Sequence, residues 1–383
     1  MMSRLAALRP TTIDELCEAI ADAAGRGAKL AITGGGSKSA IGSPSGATRL
    51  DMSGFAGVID YDPAELVLTA AAGTPLATVQ ALVAGEGQML AFDPFDHGVV
   101  FGGAEGRATI GGVVAAGVAG PLRVSQGGVR DHLLGFKAVS GRAEFFVAGA
   151  KVTKNVTGYD LPKLMAGSWG RLAALTEVTL KVLPRAKLRI TKLVLGLSAD
   201  FAVKAMARAM GSQAEVSAAA YVPDYHGRSV TAVRVQGFAA SVEARCRMLD
   251  AQLAELGALD LLEDRACESF WHAIATLEPL PSHPPLWRII LPPRRAPELM
   301  RMIDGAWLLD WAGGLAWVAT DIRPDRIRTA AAALGGNATL VRASAAMRAV
   351  TPALHPLPAG VAALEERVRR AFDPSGIFET GRF

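Results

Sequence analysis

The run Thr33-Gly34-Gly35-Gly36-Ser37-Lys38-Ser39 has the residue types that bind an anion. Its three glycines lack Cβ atoms, so the backbone can take positive φ and turn several N–H groups toward one point. Concave arrays of amide donors hold phosphate with little help from side chains, and Lys38 adds a positive charge. A glycine-rich surface turn has the same composition, so the run gains meaning only beside two further strings downstream in the chain. A second cluster, Ala108-Thr109-Ile110-Gly111-Gly112-Val113-Val114-Ala115-Ala116-Gly117-Val118-Ala119-Gly120, would let backbone approach a bulky ligand closely. The third string is Lys154-Asn155-Val156-Thr157-Gly158-Tyr159-Asp160-Leu161-Pro162-Lys163-Leu164-Met165-Ala166-Gly167-Ser168-Trp169-Gly170. Residues 34–39 lack the GxxxxGKS spacing of a triphosphate loop, which argues against phosphoryl transfer.

Acid–base and carboxylate chemistry have fewer candidates. His97, in Phe92-Asp93-Pro94-Phe95-Asp96-His97-Gly98, is the histidine nearest a glycine loop, and an exposed loop histidine is its ordinary reading. Arg288, in Leu286-Trp287-Arg288, could hold a carboxylate or simply pair with an acid at a strand edge. The cysteines Cys17, Cys246 and Cys267 show no CxxC spacing, so a disulfide framework, an iron–sulfur site or a zinc site is not expected, and a reducing cytosol fits.

The elements that would position these groups can be read from periodicity. Thr12 and Glu15 form a capping box, and Ile13, Leu16, Cys17, Ile20 and Ala24 recur at helical spacing until Gly25 and Gly27. A strand over 28–32 then places the glycine run at its carboxyl end. The same order returns as a strand over 66–71, a helix capped by Thr74 and opened by Pro75, and a strand over 88–92. A hairpin is expected to turn at Ser140-Gly141-Arg142, and a strand over 177–183 stops at Pro184. Beyond it, strands near 189–197, 216–222, 231–236, 286–291 and 315–320 alternate with helices near 199–210, 241–256 and 325–334, an order that predicts one or two ferredoxin-like α+β layers.

A chain of 383 residues exceeds what one core usually serves, so two or three domains are expected. Half of its residues are hydrophobic, 20% are charged and the net charge is +4, which argues against disorder. No basic stripe is interleaved with aromatics, so no nucleic-acid partner is expected. The longest apolar stretches, 110–122 and 306–320, are interrupted by glycines or Asp310, too soon to span a bilayer. The amino terminus does not read as a secretory signal.

The order GGGSKS, TIGG, RD.LLG, KNVTGYDLPKLMAGSWG and TEVTLKVLP resembles the FAD-binding domain of the vanillyl-alcohol oxidase and p-cresol methylhydroxylase (PCMH) type over residues 5–184. Within that superfamily the chain is similar to the FAD-binding E-subunit family of bacterial glycolate oxidase, also called glycolate dehydrogenase. The likeness extends through Leu286-Trp287-Arg288 to Phe372-Asp373-Pro374-Ser375-Gly376-Ile377-Phe378-Glu379-Thr380-Gly381-Arg382. It implies an α+β protein: a two-subdomain PCMH-type FAD-binding fold over 1–185, a ferredoxin-like domain over 186–345 for substrate or subunit contact, and a segment over 346–383 returning toward the flavin.

By this resemblance Thr33, Gly34, Gly35, Gly36, Ser37 and Lys38 would hold the FAD pyrophosphate. Thr109, Gly111 and Gly112 match the second pyrophosphate and ribityl loop, and Gly73, Thr74 and Pro94 sit where neighbouring FAD contacts are usual. Asn155, Gly158 and Tyr159 match a stretch near the flavin, although Tyr159 could equally be a buried aromatic with a satisfied hydroxyl. Asp160 could lie near the flavin or cap a helix over 162–166. No histidine or cysteine stands in the first loop, so the FAD is expected to bind noncovalently. None of the six histidines stands in the HxGDGN string by which related D subunits bind a metal, so no metal is expected and no catalytic residue is assigned. Glu379-Thr380 replaces the family's usual Asn-Pro, which removes an asparagine expected to contact the flavin.

The resemblance implies that the chain works with a D-type FAD subunit and an iron–sulfur F-type subunit to oxidise glycolate to glyoxylate. It would be cytoplasmic and would reach the inner face of the cell membrane only through its partners. The alternatives are a scaffold subunit that keeps the flavin fold without turnover, and a self-sufficient FAD-dependent 2-hydroxy-acid dehydrogenase.

Overall fold

The structure is a computed structural model that describes residues 7–150, 159–283 and 285–382. The chain divides into two compact units. Unit 1 comprises Met1–Ala119, Gly127–Arg185 and Pro356–Phe383, and unit 2 comprises Gly120–Gln126 and Ala186–His355.

Unit 1 opens with helix α1 (Ile13–Arg26), whose capping box is complete: Thr12 accepts from the Glu15 N–H, and the Glu15 carboxylate accepts from the Thr12 N–H. Leu16, Ile20 and Ala23 face inward at helical spacing. Burying a Leu or Ile side chain contributes about 1.5–3 kcal/mol, so this stripe, more than propensity, holds a helix of 14 residues. Gly27 ends it in the left-handed region, at φ 64°.

Strand β1 (Leu30–Thr33) pairs in parallel with β2 (Thr48–Asp51). Leu8 adds to the outer side of β2, and Phe378 to the outer side of β1, each by a parallel bridge. The main sheet comprises β3 (Val58–Asp62), β4 (Val67–Ala71), β6 (Leu133–Ser140), β7 (Phe145–Gly149) and β8 (Ala173–Lys181), ordered β3-β4-β8-β6-β7 with antiparallel pairing throughout. A separate pair joins β5 (Gln88–Met89) to β9 (Leu183–Pro184). Strand β5 stops short of the expected 88–92 because the buried residues Leu90, Ala91 and Phe92 leave the ladder, Leu90 and Phe92 joining the core with Val79, Val83 and Val113.

Helix α2 (Leu76–Gly85) comes after β4, but its N-cap is Pro75 and no side chain caps it. The Thr74 hydroxyl donates to the Ala71 carbonyl at 2.6 Å and accepts from the Gly57 N–H at 2.9 Å, bracing the turn behind helix α3 (Ile110–Ala116). The Ile110 N–H then donates to the Thr74 carbonyl and the Gly111 N–H to that of Ala72, which ties the second glycine cluster to the sheet.

Residues 356–383 belong to unit 1. Leu30 donates its N–H to Ile377, and Glu379 donates to Leu30, so this segment runs beside β1. Asp373, 1% exposed, accepts from the Ile377 and Phe378 N–H groups and fixes the turn into that strand-like run.

Unit 2 holds eight strands: β10 (Leu188–Leu195), β11 (Ala218–Tyr225), β12 (Arg228–Gly237), β13 (Ala258–Glu263), β14 (Leu286–Ile290), β15 (Ala306–Asp310), β16 (Leu315–Ala319) and β17 (Asn337–Arg342). Their order is β13-β10-β12-β11-β15-β16-β14-β17. Each half is a βαββαβ unit whose strands lie in the order 4-1-3-2, the ferredoxin-like arrangement, and the halves join through Tyr221 and Leu309. One core cluster joins the helices Ala199–Met210, Ala239–Leu253 and Pro324–Ala333 to this sheet. Among the described residues no helix is long and apolar enough to cross a membrane.

Candidate functional site

A cavity opens within unit 1, between the two glycine clusters. Its first wall is the glycine run after β1, from Ile32 to Ser39, and its second is Thr109, Gly111, Gly112, Ala115 and Ala116. Met52, Ala72, Ala173 and Leu175 add apolar surface, and Trp169, Gly170 and Arg382 complete the lining.

Each glycine of the first wall has its own reason. Only Gly36 takes positive φ, at 78°. A Cβ on Gly35 would stand 1.6 Å from the Arg107 carbonyl oxygen, and one on Gly34 would stand 2.1 Å from Thr109 Oγ1. These two glycines therefore let one wall press directly on the other. The contact is fastened by Arg107, whose Nε donates to the Gly35 carbonyl at 3.1 Å.

The second wall is set locally. Thr109 caps α3 by accepting from the Gly112 N–H, and the approach to it is fixed by Asp96. That carboxylate accepts from the N–H groups of Arg107 at 2.9 Å, Ala108 at 3.0 Å and Gly98 at 2.8 Å. Such charge-assisted bonds to backbone are among the stronger ones available to a loop.

The charge in the cavity is positive. Lys38 is 8% exposed, and burial pushes its ammonium down to about 8, with Asp96 acting in the opposite sense and Arg382 adding to the fall. Burial likewise lowers Arg382 to about 10. Its guanidinium lies 4.9 Å over the Trp169 ring and donates to the carbonyls of Lys38 and Thr380. Among the described residues no acidic side chain lines the cavity. The arrangement can hold a dianion between two cations, with apolar surface alongside.

The cavity brings together Thr33, Gly34, Gly35, Gly36, Ser37, Lys38, Thr109, Gly111 and Gly112. Gly73, Thr74 and Pro94 are not on its lining. Gly73 packs against the backbone of Met52 and Phe55, Thr74 braces the turn between β4 and α2, and Pro94 accepts from Gln80 Nε2 at 3.1 Å. Tyr159 is 92% exposed and also off the lining. Asn155 and Gly158 lie outside the described residues. Asp160 caps the helix Leu161–Met165, accepting from the Lys163 N–H at 3.2 Å, and pairs with the Lys163 ammonium.

His97 is buried and packs edge-on against Phe95. Arg288 lies in unit 2, where its guanidinium stacks 5.0 Å over Trp311, a ring that also carries Arg123 at 4.5 Å. Burial, then Arg123, pulls Arg288 down to about 10, and Asp310 opposes them. Among the described residues no group of three or more His, Cys, Asp or Glu is placed to hold a metal.

Sequence reasoning missed Trp169 and Arg382. Trp169 takes a positive φ of 57° and donates its N–H to Ala115, so the GSWG string sets a ring beside the second wall. A bulky residue between glycines was the available signal. For Arg382 the signal was the family resemblance of the tail, which returns residues 346–383 toward the flavin; its contact with a loop 344 residues earlier has no local signal.

Residues 5–149 match the family model described as an FAD binding domain. The chain is 34% identical over 355 residues to glycolate oxidase subunit GlcE of Escherichia coli K12, covering 92% of both chains. It is 32% identical to a D-lactate dehydrogenase of Anaerostipes hadrus over 36% of this chain and 27% of that one. A solved structure of alkyldihydroxyacetonephosphate synthase superposes with a TM-score of 0.69, at 14% identity, covering 97% of this chain and 74% of the other.

Proposed function

The chain belongs to the family of the glycolate oxidase subunit GlcE, and from that premise we propose that it is the FAD-holding subunit of a complex oxidising glycolate to glyoxylate. Its cofactor is FAD and its fold is the PCMH-type FAD-binding fold. The observation that carries the reading is the cavity itself, where the described residues supply Lys38 and Arg382, no acid, and glycine backbone on two facing walls. A dinucleotide fits that set, since a diphosphate matches the charge and a flat ring matches the apolar surface.

In this reading Gly34, Gly35, Gly36 and Ser37 present backbone N–H groups to the diphosphate, and Lys38 neutralises it. Thr109, Gly111 and Gly112 form the facing wall. Gly73, Thr74 and Pro94 act from behind by bracing the loops, and Asn155, Gly158 and Tyr159 contribute near the flavin. The first loop, 33–39, carries no histidine or cysteine to tether the flavin, which supports noncovalent binding. FAD, when bound, supplies the two-electron acceptor for a 2-hydroxy acid. The protein's own contribution is to fix that group and to exclude water with Met52, Ala72, Ala173 and Leu175.

A D-type FAD subunit and an iron–sulfur F-type subunit would complete the complex, the latter carrying electrons away. The chain would lie in the cytoplasm and meet the membrane through them. A second reading, a flavin-fold subunit with no turnover of its own, is favoured by one observation. Among the described residues no carboxylate or imidazole lines the cavity to act as base for the substrate hydroxyl.

Anaerobic addition of glycolate separates these readings. Loss of the flavin's visible absorbance only after the D-type partner is added supports the complex. Bleaching in the isolated chain means a self-sufficient dehydrogenase, and a flavin in this chain that never responds beside an active partner means a scaffold.

A further inference from the structure

Arg382 presents an arrangement that the rest of its segment does not need. Glu379, Ile377 and Gly381 already fasten residues 377–382 to the body through backbone: Glu379 N–H to Leu30, Leu30 N–H to Ile377, and Ser43 N–H to Gly381. Beyond this backbone seam the Arg382 side chain turns into the cavity. There two of its nitrogens donate to carbonyls, Nη1 to Thr380 at 3.2 Å and Nη2 to Lys38 at 3.1 Å. The third, Nε, is buried and has no hydrogen-bond partner among the described residues. A buried donor left unsatisfied is costly, the more so on a charged group, so it marks a place where an acceptor belongs.

The charges point the same way. No acidic side chain among the described residues pairs with Arg382, while the Lys38 ammonium lines the same cavity. Two cations brought together away from water repel each other, and an anion between them relieves both the repulsion and the desolvation. Trp169 holds the guanidinium plane by stacking, which leaves its edge for in-plane acceptors.

We propose that Arg382 is a binding residue for the diphosphate of the dinucleotide, closing the glycine wall from the opposite end of the chain and sharing the anion with Lys38. The inference rests on reading the cavity as the FAD site. Arg382 thereby couples two events: the same side chain holds the Lys38 carbonyl and waits for the phosphate, so seating the segment 377–382 and seating the cofactor reinforce each other.

The test uses the full chain freed of flavin and titrated calorimetrically with FAD, ADP and inorganic diphosphate over a range of salt. Arg382→Gln is expected to weaken FAD and ADP at least tenfold and to flatten the salt dependence of binding, beyond any fall in apoprotein melting temperature from the lost bonds to the Lys38 and Thr380 carbonyls. Equal affinities in wild type and R382Q overturn the proposal. So does a loss of affinity with the salt slope unchanged and the melting temperature lowered, since that means a purely structural arginine. Should R382Q fail to fold, Arg382→Lys decides: a several-fold weakening with fold and charge retained supports forked recognition, and wild-type affinity overturns it. Wild type binding diphosphate but not FAD contradicts the FAD reading and leaves the arginine comparison to be read with diphosphate; wild type binding neither overturns both.

Discussion

The two walls of the cavity are built in different ways. The second, from Thr109 to Ala116, is fixed by near neighbours: Thr109 caps its own helix, Asp96 gathers the N–H groups of Arg107 and Ala108, and Ala72 and Thr74 accept from Gly111 and Ile110. The first, from Thr33 to Ser39, has little of its own. It leans on the second through Gly34 and Gly35 and is held at Lys38 by a residue 344 positions away. One wall is a folded element with a neutral surface, and the other is a charged loop completed by distant chain. The difference teaches that a glycine-rich loop can be shaped from outside itself, so that cofactor capture depends on segments that carry no cofactor motif.

Removing the close approach of the walls should do most damage. Gly35→Ala places a methyl group 1.6 Å from a backbone carbonyl that the sheet-tied second wall cannot easily withdraw. Destabilisation of about 4 kcal/mol or more is expected, the rare upper end for a single substitution, together with loss of FAD uptake. Denaturant unfolding of the apoprotein checks it. A fully stable variant would mean that the first wall stands independently.

The charge on the first wall gives a pH dependence of intermediate size. Lys38 titrates near 8 in the apoprotein against 10.5 ordinarily, so between those values the unfolded chain binds more protons and apoprotein stability rises with pH. Bound diphosphate favours the ammonium and raises that pKa again, so binding takes up a proton. FAD affinity is therefore expected to be greatest below pH 8 and to fall about fivefold between pH 8 and 9, steepening toward tenfold per pH unit above that. Lys38→Met should abolish the slope. A slope that persists in that variant would place the titrating group elsewhere.

Loss of the Thr109 cap is the smallest effect. Thr109→Ala should cost about 1 kcal/mol of stability and leave the pH profile of FAD binding unchanged, because the second wall carries no charge. A larger change in the pH profile than in stability would erase the distinction between the walls.

What could be read in the sequence divides along the same line. Helix α1 was legible because Thr12, Glu15 and the Leu16–Ile20–Ala23 stripe act within a few residues of one another. The glycine clusters were legible because each is compact, and Asp160 because a cap acts within its own turn. Thr74 was misread: its residue type suits a cap, but at 1% exposure it is claimed by Ala71 and Gly57 instead. Strand β13, largely exposed with Asp260 and Glu263 on it, had too little apolar alternation to register. Within the apolar stretch 306–320 the strand expected over 315–320 is β16, while β15, which turns into it at Trp311–Gly313, was concealed. The family-like tail placed Arg382 near the flavin, but its contact with Lys38 was hidden, since no local rule joins residue 382 to residue 38. Neither does one assign residues 120–126 to unit 2, where Trp311 Nε1 donates to the Gly120 carbonyl at 3.1 Å.

The most direct test of the central claim, that the cavity of unit 1 holds FAD between a charged wall and a neutral one, is calorimetric titration of the apoprotein with FAD. Acid precipitation and chromatography of the supernatant should then be run on the same sample. The account predicts uptake of one FAD per chain and its full recovery as free FAD in the supernatant. A chain that takes up no FAD, or one that carries the flavin into the precipitate, would contradict it.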